Sequence, residues 1–446
     1  MIAGLGNIKK IPELKKKIWF TIFMLAVYRL GVFVSTPGIN VQALRDMFKS
    51  TGGTIFDLVN MFSGGSLENF SIFTLGIMPY ISVSIIIQFI TPIVPALAAL
   101  KKEGAAGQKI ITRYTRQFTI LLAIIQGFMI ARGLESQGLV LNPGMEFTIS
   151  TVLTLTAGTA FIMWLGEQIT EKGIGNGMSM IIFAGIVARM PQVFAETVAL
   201  TRTGELSPFS LLAILAFVIV TVAGIVYVER SFRKIPVQYP RRMVGNTMAQ
   251  AQTQFLPLKV NMAGVIPPIF AFAFLSIPLT IAQFAPDNQF LSDLMVYLSP
   301  EHWAYVIVFT ALIFLFCYYY TSIIYNPKEV AENLKKNGGF IPSVRPGEQT
   351  AEFLYGVLNR LTFWGAIYIA AICLIPQYIY LGMGVVSFAY VFGGTAILIA
   401  VSVTLDTASQ IESHIVASNY ESFMNSSAAK GGRVSMRQLR TKALKR

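Results

Sequence analysis

Ten long, unalternating apolar runs recur along the chain, at 18–36, 71–92, 117–133, 148–167, 178–195, 208–228, 262–284, 303–325, 361–380 and 385–406. The hydrocarbon core of a bilayer takes about 20 apolar residues per helix. Only helices and closed barrels satisfy every backbone group there. A barrel strand alternates apolar and polar residues over about ten positions, and these runs do not. Only 13% of the 446 residues are charged, against roughly 25% in a soluble domain. The expectation is an all-α polytopic membrane protein with ten transmembrane helices. The first run follows a basic stretch, as a signal peptide would, but no small-residue cleavage site follows it, so it reads as an uncleaved first span.

Lysine and arginine placement sets the orientation. With the N-terminus in the cytoplasm, the inside segments are 1–17, 93–116, 168–177, 229–261, 326–360 and 407–446, and they hold 29 of the 35 Lys and Arg residues. The other six are Arg29, Arg45, Lys49, Arg132, Arg189 and Arg202. Both termini are therefore expected inside, and most of the net charge of +13 on one face. The segments 229–261 and 326–360 are too long for turns, and as basic loops they suit an anionic partner such as ribosomal RNA or an acidic protein surface. Positive-inside bias alone explains the charge of any single loop equally well.

Two short segments match across the chain. Gly76-Ile-Met-Pro-Tyr-Ile81 and Gly264-Val-Ile-Pro-Pro-Ile269 open the second and seventh runs. With five spans per half these are corresponding positions, and an odd number of spans inverts the second half. Two independent proline kinks are the other explanation. Segment 52–70 carries two Gly-Gly pairs outside the second run. It reads either as a plain external loop or as a re-entrant piece, tolerated only where protein or a watery cavity surrounds it.

Chemistry is sparse. No Gly-x-x-x-x-Gly-Lys-[Ser/Thr] phosphate loop occurs, and Gly173-Ile-Gly-Asn-Gly177 follows no strand, so it is a flexible turn. Cys317, Cys373, His302 and His414 lie apart, without metal spacing. No enzyme activity, metal or cofactor is expected. Ion-coupled transporters place ionisable groups deep in the membrane. Here Arg29, Glu167 and Asp406 lie toward span ends, the two carboxylates reading as holders of helix ends. A passive conduit, an inverted-repeat transporter of small solutes and a membrane scaffold remain as readings of the residues alone.

Longer motifs narrow the choice. Asn60-Met-Phe-Ser-Gly-Gly65, Leu75-Gly-Ile-Met-Pro-Tyr-Ile-Ser82, Trp164-Leu-Gly-Glu-Gln-Ile-Thr170, Gly173-Ile-Gly-Asn-Gly177, Leu256-Pro-Leu-Lys-Val-Asn-Met-Ala-Gly-Val-Ile-Pro267, Asn333-Leu-Lys-Lys336 and Arg345-Pro-Gly-Glu-Gln-Thr350 resemble the bacterial SecY family in order and spacing, from about residue 9 to 424. The resemblance implies an hourglass channel of two inverted pseudo-symmetric halves: TM1–TM5 over 18–195 and TM6–TM10 over 208–406, with an external hinge loop at 196–207 and a basic tail at 407–446. It implies a pore ring of Ile77, Ile81, Ile182, Ile269 and Ile399, and a short plug helix over 57–70 containing Asn60, Met61, Phe62, Ser63, Gly64, Gly65 and Ser66. The second, third, seventh and eighth spans become a lateral gate, with Gln88 and Asn261 at gate-lining positions. Arg345, Arg241, Arg242 and Lys259 become docking residues for the SecA ATPase and the ribosome. Gly245 is followed by Asn246 and Thr247, where many relatives carry extra basic residues. Implied partners are SecE as an obligate subunit, SecG, SecA, the ribosome, signal peptides, nascent chains and membrane lipid, with YidC and SecDF as further candidates. The implied location is the bacterial cytoplasmic (inner) membrane.

Overall fold

The computed structural model describes residues 11–50, 60, 63–239, 243–244, 247–248, 252–283, 296–298, 302–383 and 386–429. Helices dominate: α1 (Pro12–Gly31), α2 (Val41–Ser50), α3 (Met78–Ile93), α4 (Pro95–Lys102), α5 (Ala105–Ser136), α6 (Met145–Lys172), α7 (Gly177–Thr203), α8 (Pro208–Glu229), α9 (Ile266–Gln283), α10 (Trp303–Ile324), α11 (Pro327–Lys336), α12 (Glu348–Gly382), α13 (Val386–Val391) and α14 (Gly394–Ala429). Four strands are described: β1 (Phe232–Tyr239), β2 (Met243–Val244), β3 (Thr247–Met248) and β4 (Gln252–Lys259).

Among the described residues, α5, α6, α7, α8, α10, α12 and α14 are long and apolar enough to cross a membrane. An eighth crossing arises if α3 and α4, bent by 95° at Val94, form one span. The bend has a local cause. Val94 precedes Pro95 and is held extended at φ −89°, ψ 114°, because a following proline disfavours the helical conformation. The other two apolar runs are helical as well: α1 begins among Lys15, Lys16 and Lys17, and α9 is uninterruptedly apolar over Ile266–Ser276.

Several boundaries differ from the sequence expectation. The interrupted third run sits inside a continuous 32-residue helix, α5, since Gln126 and Gly127 cost a helix little. The expected hinge loop at 196–207 is helical as far as Thr203, and Gly204 at φ +86° ends the helix, leaving four residues before α8. The tenth run is broken into α13 and α14. Gly394 lies so near α12 that an added Cβ would overlap the Ile372 carbonyl. Part of the expected tail is a packed continuation of α14: Ile415 joins Leu14 and Ile174 in a small core, and Gln410 Oε1 accepts from the Gly175 N–H at 3.0 Å. Residues 430–446 lie outside the described residues.

The largest difference is a β-hairpin in the segment 229–261, where only a loop was expected. β1 pairs antiparallel with β4, from Phe232 opposite Lys259 to Tyr239 opposite Gln252. Ile235, Val237 and Leu258 share an apolar cluster with Ile341, Leu354 and Leu358. Gln238 and Phe340 exchange backbone hydrogen bonds at 2.8 and 2.9 Å. The two large inter-helix segments are thus one folded unit with its own core.

Candidate functional site

The corresponding entries of the two halves share one local geometry. Gly76 and Gly264 are both left-handed, at φ +55° and +62°. Each precedes a helix by two residues, and each helix carries proline at its second position, Pro79 in α3 and Pro267 in α9. Glycine takes positive φ at no steric cost, and proline is preset for a first helical turn. The repeated Gly-x-x-Pro therefore builds the same hinge twice.

The five isoleucines all lie in or against one extended apolar cluster of the bundle. Ile77, Ile81, Ile182 and Ile399 are buried in the main apolar cluster, and the half-buried Ile269 packs against it. They arrive from the α3 entry, α3 itself, α7, α9 and α14. Branched apolar side chains offer an ion no ligand, and a narrow apolar constriction sheds water.

Of the segment expected as a short plug helix, Asn60 is helical and residues 63–70 form turns. Turns continue over 72–77 beyond a bridge from Ser71 to Ser35, and Gly64 at φ +68°, Gly65 at φ +86° and Phe70 at φ 41° keep this stretch from being helical. Asn60, Ser63 and Ser66 are buried. Met61 and Phe62, like residues 57–59, lie outside the described residues. The segment is bonded to its surroundings at many points. Ser66 Oγ donates to the Phe73 carbonyl at 2.8 Å. Tyr28 Oη donates to the Ser63 carbonyl at 3.1 Å and Arg29 Nη1 to the Gly64 carbonyl at 2.6 Å. Asn60 accepts from the Glu68 N–H at 3.2 Å and donates to its carboxylate at 3.4 Å, and Arg189 Nη2 lies 3.4 Å from that carboxylate. A Cβ on Gly64 would stand 2.8 Å from the Gly185 Cα, so the segment and α7 touch backbone to backbone.

The α3 face toward α9 and α10 is aromatic. Phe89 stacks on Tyr319 with centroids 3.8 Å apart and meets Phe316 edge-on. Phe270 and Phe274 of α9 approach Phe316 at 5.8 and 6.4 Å. Tyr319 Oη donates to the Gln88 carbonyl at 2.9 Å. The sequence singled out Gln88 and Asn261 here and missed the rings beside them. The Gln88 side chain donates to Ser84 at 3.1 Å. Asn261, 3% exposed, works elsewhere: it donates to Glu229 at 2.7 Å and accepts from the Gly264 N–H at 3.1 Å, pinning the end of α8 to the α9 hinge.

The residues expected to dock partners are spread out. Arg345 is exposed in the turn before α12, where the Thr350 hydroxyl bonds its carbonyl at 2.8 Å. Lys259 sits at the base of the hairpin, 3.8 Å from Asp406. Arg241 and Arg242 lie outside the described residues. The carboxylates near span ends are paired: Glu167 with Arg116 of α5 at 2.6 Å, and Asp406 with Lys259.

The sequence profile of the SecY family matches residues 71–408. Protein translocase subunit SecY of Escherichia coli strain K12 is 46% identical over 436 residues, covering 96% of both chains. The chain belongs to the SecY family. A second relative, protein translocase subunit SecY of Thermus thermophilus, is 42% identical over 438 residues, covering 97% of this chain and 99% of its own. Among solved structures, the fold resembles a protein-conducting channel with TM-score 0.66 at 17% identity, over 91% of this chain and 96% of that one. It also resembles Sec61 from a canine ribosome-channel complex of the endoplasmic reticulum, with TM-score 0.62 at 16% identity and the same coverage.

Proposed function

We propose that this chain is the pore-forming subunit of a Sec translocon, a passive conduit that passes unfolded polypeptides across the membrane and releases apolar segments sideways into lipid. The observation that supports the reading is that five isoleucines from four helices and one hinge all lie in or against one extended apolar cluster. A signal sequence or nascent span entering from the cytoplasm lodges at the aromatic seam between α3 and the α9–α10 pair. The 60–70 segment shifts outward and the isoleucines part around the chain. An apolar segment then partitions into lipid: Leu or Ile gains a few tenths of a kcal/mol at the helix centre, and a charge costs roughly 2.5–3.5 kcal/mol.

The chain has no energy source of its own in this reading. The SecA ATPase or the translating ribosome supplies the push, and the exposed Arg345 offers the bidentate guanidinium suited to carboxylate or phosphate. SecE is the obligate partner and SecG a peripheral one. The proposed setting is the bacterial inner membrane, with both termini cytoplasmic.

The test is site-specific crosslinking. A cysteine at Ile81 is challenged, in vesicles carrying the chain with SecE and SecA, by a stalled secretory substrate. The expected result is an ATP- and SecA-dependent adduct that a lipid-facing control position lacks. Engaged substrate with no adduct at Ile81 moves the path away from the isoleucines and rejects the reading.

A further inference from the structure

Arg29 and Arg189 are two of the six basic residues that the positive-inside pattern leaves unexplained, and both lie within helices of the apolar bundle. Arg29 lies in the last turn of α1 and Arg189 inside α7, and a charged group in an apolar membrane segment is costly unless it faces a partner. Their partner is the same short stretch of chain. Arg29 reaches the Gly64 carbonyl at 2.6 Å, and Arg189, its side chain only 14% exposed, reaches the Glu68 carboxylate at 3.4 Å. The methylene stem of Arg189 also passes 3.9 Å from where a Gly65 Cβ would stand. Asn60 completes the arrangement by bonding both the Glu68 N–H and its carboxylate. The two guanidinium groups feel each other's charge, and the Glu68 carboxylate stands against Arg189. Glu68 is the acidic side chain paired with Arg189, and on the channel reading it belongs to the segment that must leave for the channel to open. The arginines ride on α1 and α7.

We infer that Glu68, gripped by Arg189 while Arg29 holds the nearby Gly64 carbonyl, is an electrostatic latch that sets how firmly the 63–70 segment seals the resting channel. These are positioning residues: they touch no substrate and act through the segment they hold. The inference rests on the channel reading above. It adds that the seal is charge-controlled, beyond simple shape complementarity under the isoleucines. Breaking the latch frees the segment without altering the apolar constriction. Restoring opposite charges in exchanged positions restores it.

The experiment measures resting ion leak in vesicles carrying the full chain with its translocase partners and no substrate. E68R and R189E are made singly and together, with Ile81→Gly as an opening of the constriction that is independent of the latch. Recovery of intact complex by size exclusion qualifies each variant. The expected result is a roughly tenfold rise in leak for each single reversal, the scale for breaking a partly buried pair, and a return to near the parent level in the double exchange. Single variants that leak and a double variant that leaks as much or more would show packing damage and overturn the latch. Tight single variants beside a leaking Ile81→Gly overturn the latch and leave the channel reading standing. If Ile81→Gly is tight as well, the channel reading fails and the latch fails with it.

Discussion

Gly64 illustrates how much a single position can decide. Its φ of +68° disfavours any side chain, and its Cα side faces the α7 backbone at Gly185. Gly64→Ala combines a strained conformation, costing about 1–3 kcal/mol, with a backbone clash that only displacement relieves. The variant should fold, because the strain is local, and should raise resting ion conductance in reconstituted vesicles. Conductance equal to the parent would mean that the turn adapts in place. Asn261 is a second such position. Asn261→Ala removes two bonds at the α9 hinge and leaves the Glu229 carboxylate without its amide partner. A loss of about 1–3 kcal/mol is expected, read as a lowered melting temperature in detergent. The sequence made both residues visible through motifs, but not their tasks. Nothing in the chain near Asn261 points to a carboxylate 32 residues earlier, and nothing near Glu68 points to an arginine 121 residues later. The sequence did show Arg29 and Arg189 as two of the six basic residues outside the expected inside segments, without a sign of what they meet.

At the scale of elements, the aromatic seam and the hairpin behave differently. Phe89 and Tyr319 join helices that, on the proposed function, separate for a lateral exit. A stacked pair contributes about 0.5–1.5 kcal/mol beyond its buried area, comparable to two or three leucines in a membrane segment at a few tenths of a kcal/mol each. Tyr319→Ala should therefore let test segments with two or three fewer leucines leave sideways, measured by the fraction integrated across a graded series. Tyr319→Phe keeps the stack and loses the bond to the Gln88 carbonyl, so its shift should be smaller. The hairpin, by contrast, is a fixed support. Ile235→Asp places a charge in the core shared with Leu354 and Leu358, and should make residues 232–259 sensitive to limited proteolysis while the spans stay protected. The sequence carried a signal for this unit in the alternation of Arg233, Ile235 and Val237 against Leu256 and Leu258. Its basic charge drew the reading toward a docking loop, and the paired strand lay too far along the chain to be seen. The apolar runs were easier to read, since length and hydropathy alone mark a span. Their ends were harder, because caps such as Gly204 and breaks such as Val94 depend on one residue.

For the whole molecule, the two halves are fastened through the apolar cluster that holds the isoleucines and through the aromatic seam, while the hairpin core lies within the second half alone. Only the first two must yield during transport. The latch adds an asymmetry between what moves and what stays. Arg29 and Arg189 remain with their helices, whereas Glu68 leaves with its segment, so opening carries one negative charge toward the outer face. A cell membrane is negative inside, and crossing the entire field is worth about 2.3 kcal/mol per charge per 100 mV; a shorter path gains a proportionate share. The resting voltage of the cell thus pulls the seal outward, and substrate-free channels in planar bilayers should conduct more at inside-negative than at inside-positive potential. Glu68→Gln should flatten that difference, which would make the membrane potential part of the gate as well as a force on the exported chain.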